Sequence, residues 1–276
     1  LANLVDCLAG PLGDAPVVHA DETSVRVGVG LAWVHTISTP WLTYLAARRG
    51  RGIDAIVDIG VLGGYTGTIV HDGLATYDVD ELKGASHAQC GAHLLRYLDA
   101  MAKSPTQWAW TAAMRDVLIA AKTASERAAA AGQPSVPDDI AGPIRHRYGH
   151  TLLFALAGLP HGPPPRRRHR DGWSNIEREA WNLATRMGAA QDQVLRLLVD
   201  TRVPFDNNEA ERSLRMAKLH DKISGAFRSM TNAGAFMTVR SYLQTGAKQG
   251  HNALDLLTLL WTTGAWLPTV ADPTTG

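Results

Sequence analysis

Short runs of Val, Ile, Thr, Trp and Tyr, separated by Gly or Pro, dominate the opening of the chain, and longer stretches with helical spacing dominate the rest. Val17 to Arg26, Ala32 to Ser38 and Trp41 to Ala47 carry strand-forming side chains, with Gly28 and Gly30 in the first connection and Thr39-Pro40 in the second. This pattern predicts three successive antiparallel strands. Gly52 to Gly60 reads as a short helix, although Ile53, Ile56, Val57 and Ile59 would also suit a strand. Thr66 to His71 is a fourth strand, ending at Asp72-Gly73. From His87 to about Thr123 apolar residues recur at helical spacing, as in Leu94, Leu95, Leu98 and Met101, and Ser125 to Ala131 extends the pattern until GQPSVP breaks it. Further helices are predicted over about Arg147 to Leu159, Ile176 to Leu198, Ala233 to Lys248 and Ala253 to Trp261. No internal repeat is visible.

Composition narrows the classes. The chain has 276 residues, 45% hydrophobic and 19% charged, enough apolar material for one large domain with an insertion or two modest ones. A net charge of +1 does not announce a nucleic-acid binder, so any attraction to DNA must come from local clusters. Two cysteines, Cys7 and Cys90, exclude a disulfide framework and fit a reducing cytoplasm. No apolar run approaches the ~20 residues of a membrane span, and the N-terminus has neither a signal-peptide pattern nor a Met. The chain therefore reads as a fragment or a processed product.

The candidate chemistry lies in three acids. Asp21 in VVHADETSV and Asp72 in GTIVHDGLATY each stand where an apolar, β-branched run gives out. A carboxylate at a strand end is held by the backbone pairing of its sheet before any ligand arrives. The third acid lies in VPFDNNEAERSL, which reads as the first turn of a helix. Two strand-borne aspartates and one helix-borne glutamate are the parts of a divalent-metal site acting on phosphodiesters.

In order, HADET, HDGLATYD, CGAH, PFDNNEAERSLR and KISGAFRS resemble the catalytic core of the insertion-sequence family sixty-six transposases of bacteria, from about Val17 to about Gly250. The resemblance implies a DDE-type DNA transposase that cleaves and transfers strands of an insertion sequence. It implies an α/β, ribonuclease H-like mixed sheet, whose opening order of three strands, a helix and a strand this chain follows, with a large helical insertion between the second Asp and the Glu. The expected division is 1–86 for the first part of the core, 87–200 for the insertion and 201–276 for the remainder. It further implies Asp21, Asp72 and Glu211 as catalytic and metal-holding acids, Mg²⁺ or Mn²⁺ as cofactor, transposon ends and target DNA as partners, a homo-oligomer on DNA, no membrane, and a cytoplasmic, nucleoid-associated location. A ribonuclease H-like nuclease or resolvase, or a catalytically silent DNA-binding remnant, are the alternatives.

Each candidate has a plainer reading. Asp21 could cap a turn, and Asp72-Gly73 is a common turn pair. Asn208 with Glu211, or Asp206 with Glu209, has capping-box spacing. If the helix starts at Asp206, Glu209 caps it and Glu211 is free to project, so Glu209 is the nearest mistaken alternative. The family pattern of Asn207-Asn208, two variable residues and Glu-Arg selects Glu211. His71 with Asp72 could be a metal-ligating pair of the kind found on helices, but Thr68-Ile69-Val70 predicts a strand. GVLGGYTG lacks the Gly-Lys-Ser/Thr of a phosphate loop. His87, Cys90 and His93 recur at three-residue intervals and could line one side of a helix; zinc would need a fourth ligand. The Cys90 to His93 spacing matches a family element, which implies a role near the active site or in its conformation; the alternative is a buried Cys and a hydrogen-bonded His. Arg166, Arg167, Arg168 and Arg170 form the densest basic run, suited to phosphate contacts or to a solvated linker. Arg212, Arg215, Lys218, Lys222 and Arg228 form a second basic set nearer the acids.

Overall fold

Side-chain alternation builds the sheet. The computed structural model describes residues 2–74, 77, 79–160, 163–164 and 172–268. It opens with helix α1 (Ala2–Asp14), then strands β1 (Val17–Val27), β2 (Gly30–Ser38) and β3 (Thr43–Arg48), helix α2 (Ile53–Asp58), and strands β4 (Thr68–His71) and β5 (Ser86–Gln89). The sheet is mixed and five-stranded, in the order β3-β2-β1-β4-β5. β1 runs antiparallel to β2 and β2 to β3, whereas β1 and β4 are parallel, pairing Val17 with Thr68, Val18 with Ile69 and His19 with Val70. Gly28, at φ 60°, supplies the left-handed turn between β1 and β2.

Helices α3 (Gly91–Met101), α4 (Trp108–Ala130), α5 (Asp138–Ala157), α6 (Asn175–Ala189) and α7 (Gln191–Val194) follow, and then α8 (Asn208–Ser224), α9 (Met230–Lys248) and α10 (Ala253–Thr262). The chain divides into two compact units, Leu1–His87 with Asn207–Gly276, and Ala88–Asp206. In the first unit, successive residues of β1 face opposite sides of the sheet. Val18 and Ala20 pack with Leu8, Leu12 and Ile56 on one side, while Val25 packs with Leu214, Ala217 and Met237 of α8 and α9 on the other. Edge strand β3 is covered by α9: the Thr43 and Leu45 N–H groups donate to Thr245 Oγ1 and Ser241 Oγ at 3.1 and 2.9 Å. That satisfies backbone donors that would otherwise invite another strand. In the second unit, Leu98, Met114, Leu118, Ile144, Tyr148, Leu152 and Met187 form a helical core, and Tyr148 donates its hydroxyl proton to the Met187 carbonyl at 2.8 Å. Among the described residues no helix is long and apolar enough to cross a membrane.

Several boundaries differ from the sequence pattern. Helix α1 was not foreseen, because Gly10, Pro11 and Gly13 obscure its periodicity. His87 does not begin a helix but lies in β5, at the sheet edge, with helix α3 starting only at Gly91. The predicted His87–Cys90–His93 helical stripe is therefore corrected: strand, N-cap and first turn. Helix α5 begins at Asp138 rather than near Arg147, since Pro143 lies within it without ending it. The stretch read as one helix from Ile176 to Leu198 breaks at Ala190, after α6, and continues as the short helix α7 and one 3-10 turn over Arg196–Leu198. Helix α8 starts at Asn208, not Asp206.

Candidate active site

Asp21 lies inside β1, opposite Thr36 of β2, and not at the strand's end as the sequence suggested. Its end-like position exists only toward β4, which is four residues long. Asp21 is two residues past His19 and Asp72 two past Val70, the last pair of the parallel ladder. Continued by two residues, that ladder sets Asp21 opposite Asp72, and the charge of Asp72 acts on Asp21. Each carboxylate has one oxygen fixed by a neighbouring backbone N–H: Glu22 donates to Asp21 Oδ1 at 2.8 Å and Leu74 to Asp72 Oδ1 at 2.9 Å. Among the described residues, neither second oxygen accepts a hydrogen bond from a side chain or backbone group.

Burial pushes the Asp21 carboxyl up to about 7, and the adjacent charges of Glu22 and Asp72 add to the rise, against the Glu22 N–H and the charge of Lys218. The pull of Lys218, on α8, agrees with the packing of that helix over β1 and β2. Asp21 shares its strand face with Val25, whose cluster includes Leu214 and Ala217 of α8. Glu211 lies in the first turn of α8 and is half-buried, on the helix that covers this face.

Glu209 is occupied elsewhere. Its carboxylate pairs with Lys248 Nζ at 3.2 Å, and Lys248 also donates to the Thr39 and Leu42 carbonyls. This mostly buried pair clasps α8 to α9 and to the start of β3. Burial holds the Lys248 ammonium below its usual range, and the Glu209 charge opposes that shift. Glu22 is also engaged: its buried carboxylate pairs with Arg51 at 2.9 Å and accepts the Tyr77 hydroxyl at 3.1 Å. Burial raises the Glu22 carboxyl, and the hydrogen bond from Arg51 lowers it.

Sequence reading named His71 and His87 but missed the contact between them behind Asp72. The Gly73 N–H donates to His71 Nδ1 at 3.1 Å, which leaves the proton of neutral His71 on Nε2. That nitrogen faces His87 Nδ1 at 3.3 Å, and His87 Nε2 reaches the Leu82 carbonyl at 3.4 Å. Burial, reinforced by His87, holds His71 down to about 3, and its bond from the Gly73 N–H fixes the turn that carries Asp72. Both ring nitrogens of His71 are thus engaged by protein groups. His19 was also missed; it lies two residues before Asp21, on the same strand face, and its Nδ1 meets Asn207 Oδ1 at 2.9 Å.

Cys90 precedes α3 and is buried, and His93 lies in that helix's first turn, both in the helical unit. There the Gly91 N–H donates to the Phe205 carbonyl at 2.7 Å, and a Cβ at Gly91 would overlap the Phe205 ring. The CGAH and PF segments are thus packed against each other. Arg212, Arg215, Lys218 and Lys222 are exposed along α8, and Arg228 is exposed beyond it. Arg166, Arg167, Arg168 and Arg170 lie outside the described residues. Asn208 is exposed at the start of α8. A family model described as Transposase IS66 family matches residues 1–235 of the chain. No curated protein and no solved structure matches it.

Proposed function

The chain belongs to the IS66 transposase family, and from that premise we propose that it is the DDE-type catalytic core of a DNA transposase on a ribonuclease H-like sheet. The observation that carries the reading is that Asp21 and Asp72 each follow by two residues the last pair of the parallel β1–β4 ladder, each carboxylate anchored through one oxygen. The strand order and the parallel return of β4 support the fold assignment. The interruption of the first unit by residues 88–206 supports a helical insertion between Asp72 and Glu211.

The donor set suits Mg²⁺ or Mn²⁺. Two crowded carboxylates, one held protonated to about 7 by burial and by its acidic neighbours, offer hard oxygens whose repulsion a divalent cation relieves. Asp21 and Asp72 would hold the ions and Glu211 would complete the site; bound there, the ions supply activation of the attacking oxygen and stabilisation of the leaving oxygen. In cleavage, water attacks a phosphodiester at the transposon end and leaves a 3′-hydroxyl, which attacks target DNA in the second step. The exposed Arg212, Arg215, Lys218 and Lys222 run along α8 from Glu211, and Arg228 extends the set. They would contact phosphates without reading sequence. The His71–His87 contact backs the Asp72 turn.

The test compares two neighbouring acids on DNA carrying the terminal sequence of the element that encodes the chain. Glu211→Gln keeps size and helix propensity but removes a charge, and abolishes strand cleavage with DNA binding retained. Glu209→Gln loses the Lys248 pair and keeps most of the cleavage. A dead Glu209→Gln with an active Glu211→Gln would shift the third acid by two residues. A wild type that binds ends and never cuts in Mg²⁺ or Mn²⁺ would be a silent remnant, and one that cuts without joining a nuclease.

A further inference from the structure

Asn207 occupies the N-cap position of α8, where an asparagine ordinarily turns its side chain onto the helix's own N–H groups. Here it makes no such bond. Its side chain is fully buried, and both of its polar atoms reach β1 instead. Nδ2 donates to the Ala20 carbonyl at 2.8 Å, and Oδ1 meets His19 Nδ1 at 2.9 Å. The orientation of the amide follows from chemistry. A carbonyl can only accept, so the NH₂ faces Ala20; the amide oxygen then faces His19, which must carry its proton on Nδ1.

The main chain of the same residue completes a connection. Glu211 N–H donates to the Asn207 carbonyl at 3.1 Å, the first turn's bond of α8. From the backbone beside Asp21 to the backbone of Glu211 there are thus two hydrogen bonds through one buried residue. β1 at this level is itself fixed on both sides, since His19 pairs with Ser38 of β2 and Val70 of β4.

We propose that Asn207 is the positioning residue of the acidic site: its clasp on Ala20 and His19 sets the height and rotation of α8, and so the place of Glu211 relative to Asp21 and Asp72. The assignment rests on the reading of those three acids as the catalytic set. It explains why asparagine is needed there. Aspartate has no proton to donate to Ala20 and would bury a further charge beside Asp21. Leucine has similar volume and makes neither bond. A shift of about 1 Å at such a site is enough to cost on the order of 100-fold in rate.

The experiment is single-turnover cleavage of duplex DNA carrying the element's terminal sequence, with the full chain and Mn²⁺ titrated. Asn207→Asp and Asn207→Leu lower the rate constant by about 100-fold and raise the Mn²⁺ midpoint about 10-fold or more, with DNA affinity held. A purely structural role would behave differently. Loss of folded protein scales the amplitude and leaves the rate constant and the Mn²⁺ midpoint of the folded fraction in place. His19 supplies a second, milder arm. His19→Asn can present an N–H near the position of Nδ1 and keeps most of the rate, whereas His19→Leu falls with the Asn207 variants. Glu211→Gln in the same assay separates the two claims. If it cleaves like wild type, the triad is wrong. If it is dead while Asn207→Leu and His19→Leu keep wild-type rate constants and Mn²⁺ midpoints, the positioning role is overturned.

Discussion

Asp21 is a carboxylate that folding crowds against Glu22 and Asp72 and removes from water, so the metal-free protein resists ionising it. A carboxyl raised from 3.8 to about 7 makes its contribution below its unfolded value and loses it as pH climbs through the folded one. The folded state retains the proton across that window and the unfolded state does not, so stability falls from pH 4 toward pH 8. Asp21→Asn keeps an acceptor for the Glu22 N–H and never ionises. In metal-free buffer it melts at the same temperature as wild type near pH 4 and higher at pH 8, by on the order of 1 kcal/mol or about 2–4 °C. A lower melting temperature for the variant at pH 8 would contradict this. At this scale Asp21, Asp72 and Glu211 were legible as acids at the ends of apolar runs or in a helix-start motif. The bonds that Asn207, His19, His71 and Glu209 make were not, because each joins residues that no local pattern relates.

Elements were legible where periodicity is strong. The first four strands alternate or cluster β-branched residues between Gly and Pro, and α9 and α10 show clear helical spacing. Strand β5 was not legible: SHAQ contains no β-branched residue and is a strand because of its place at the sheet edge. The same limit applies to α3, whose start at Gly91 is set by the fit of a residue without a side chain under the Phe205 ring. Gly91→Ala therefore costs about 1–3 kcal/mol of stability in thermal unfolding, as overpacking does. Phe205→Leu recovers part of that loss in the double variant, a non-additivity expected of touching residues. Strictly additive effects would show that the contact does not constrain α3.

For the molecule, the division into residues 1–87 with 207–276 and residues 88–206 means that the acids come from one unit in two separate pieces of sequence. The long gap between Asp72 and Glu211 hinted at this. The central claim is that Asp21 and Asp72 form one cation site completed by Glu211. It is tested most directly by anomalous diffraction from Mn²⁺-soaked crystals of the protein bound to a duplex of its element's end. The account predicts Mn²⁺ in contact with the carboxylates of both Asp21 and Asp72, with Glu211 completing its surroundings. Asp21 and Asp72 carboxylates more than ~10 Å apart in that complex, or Mn²⁺ held only by other residues, would contradict it.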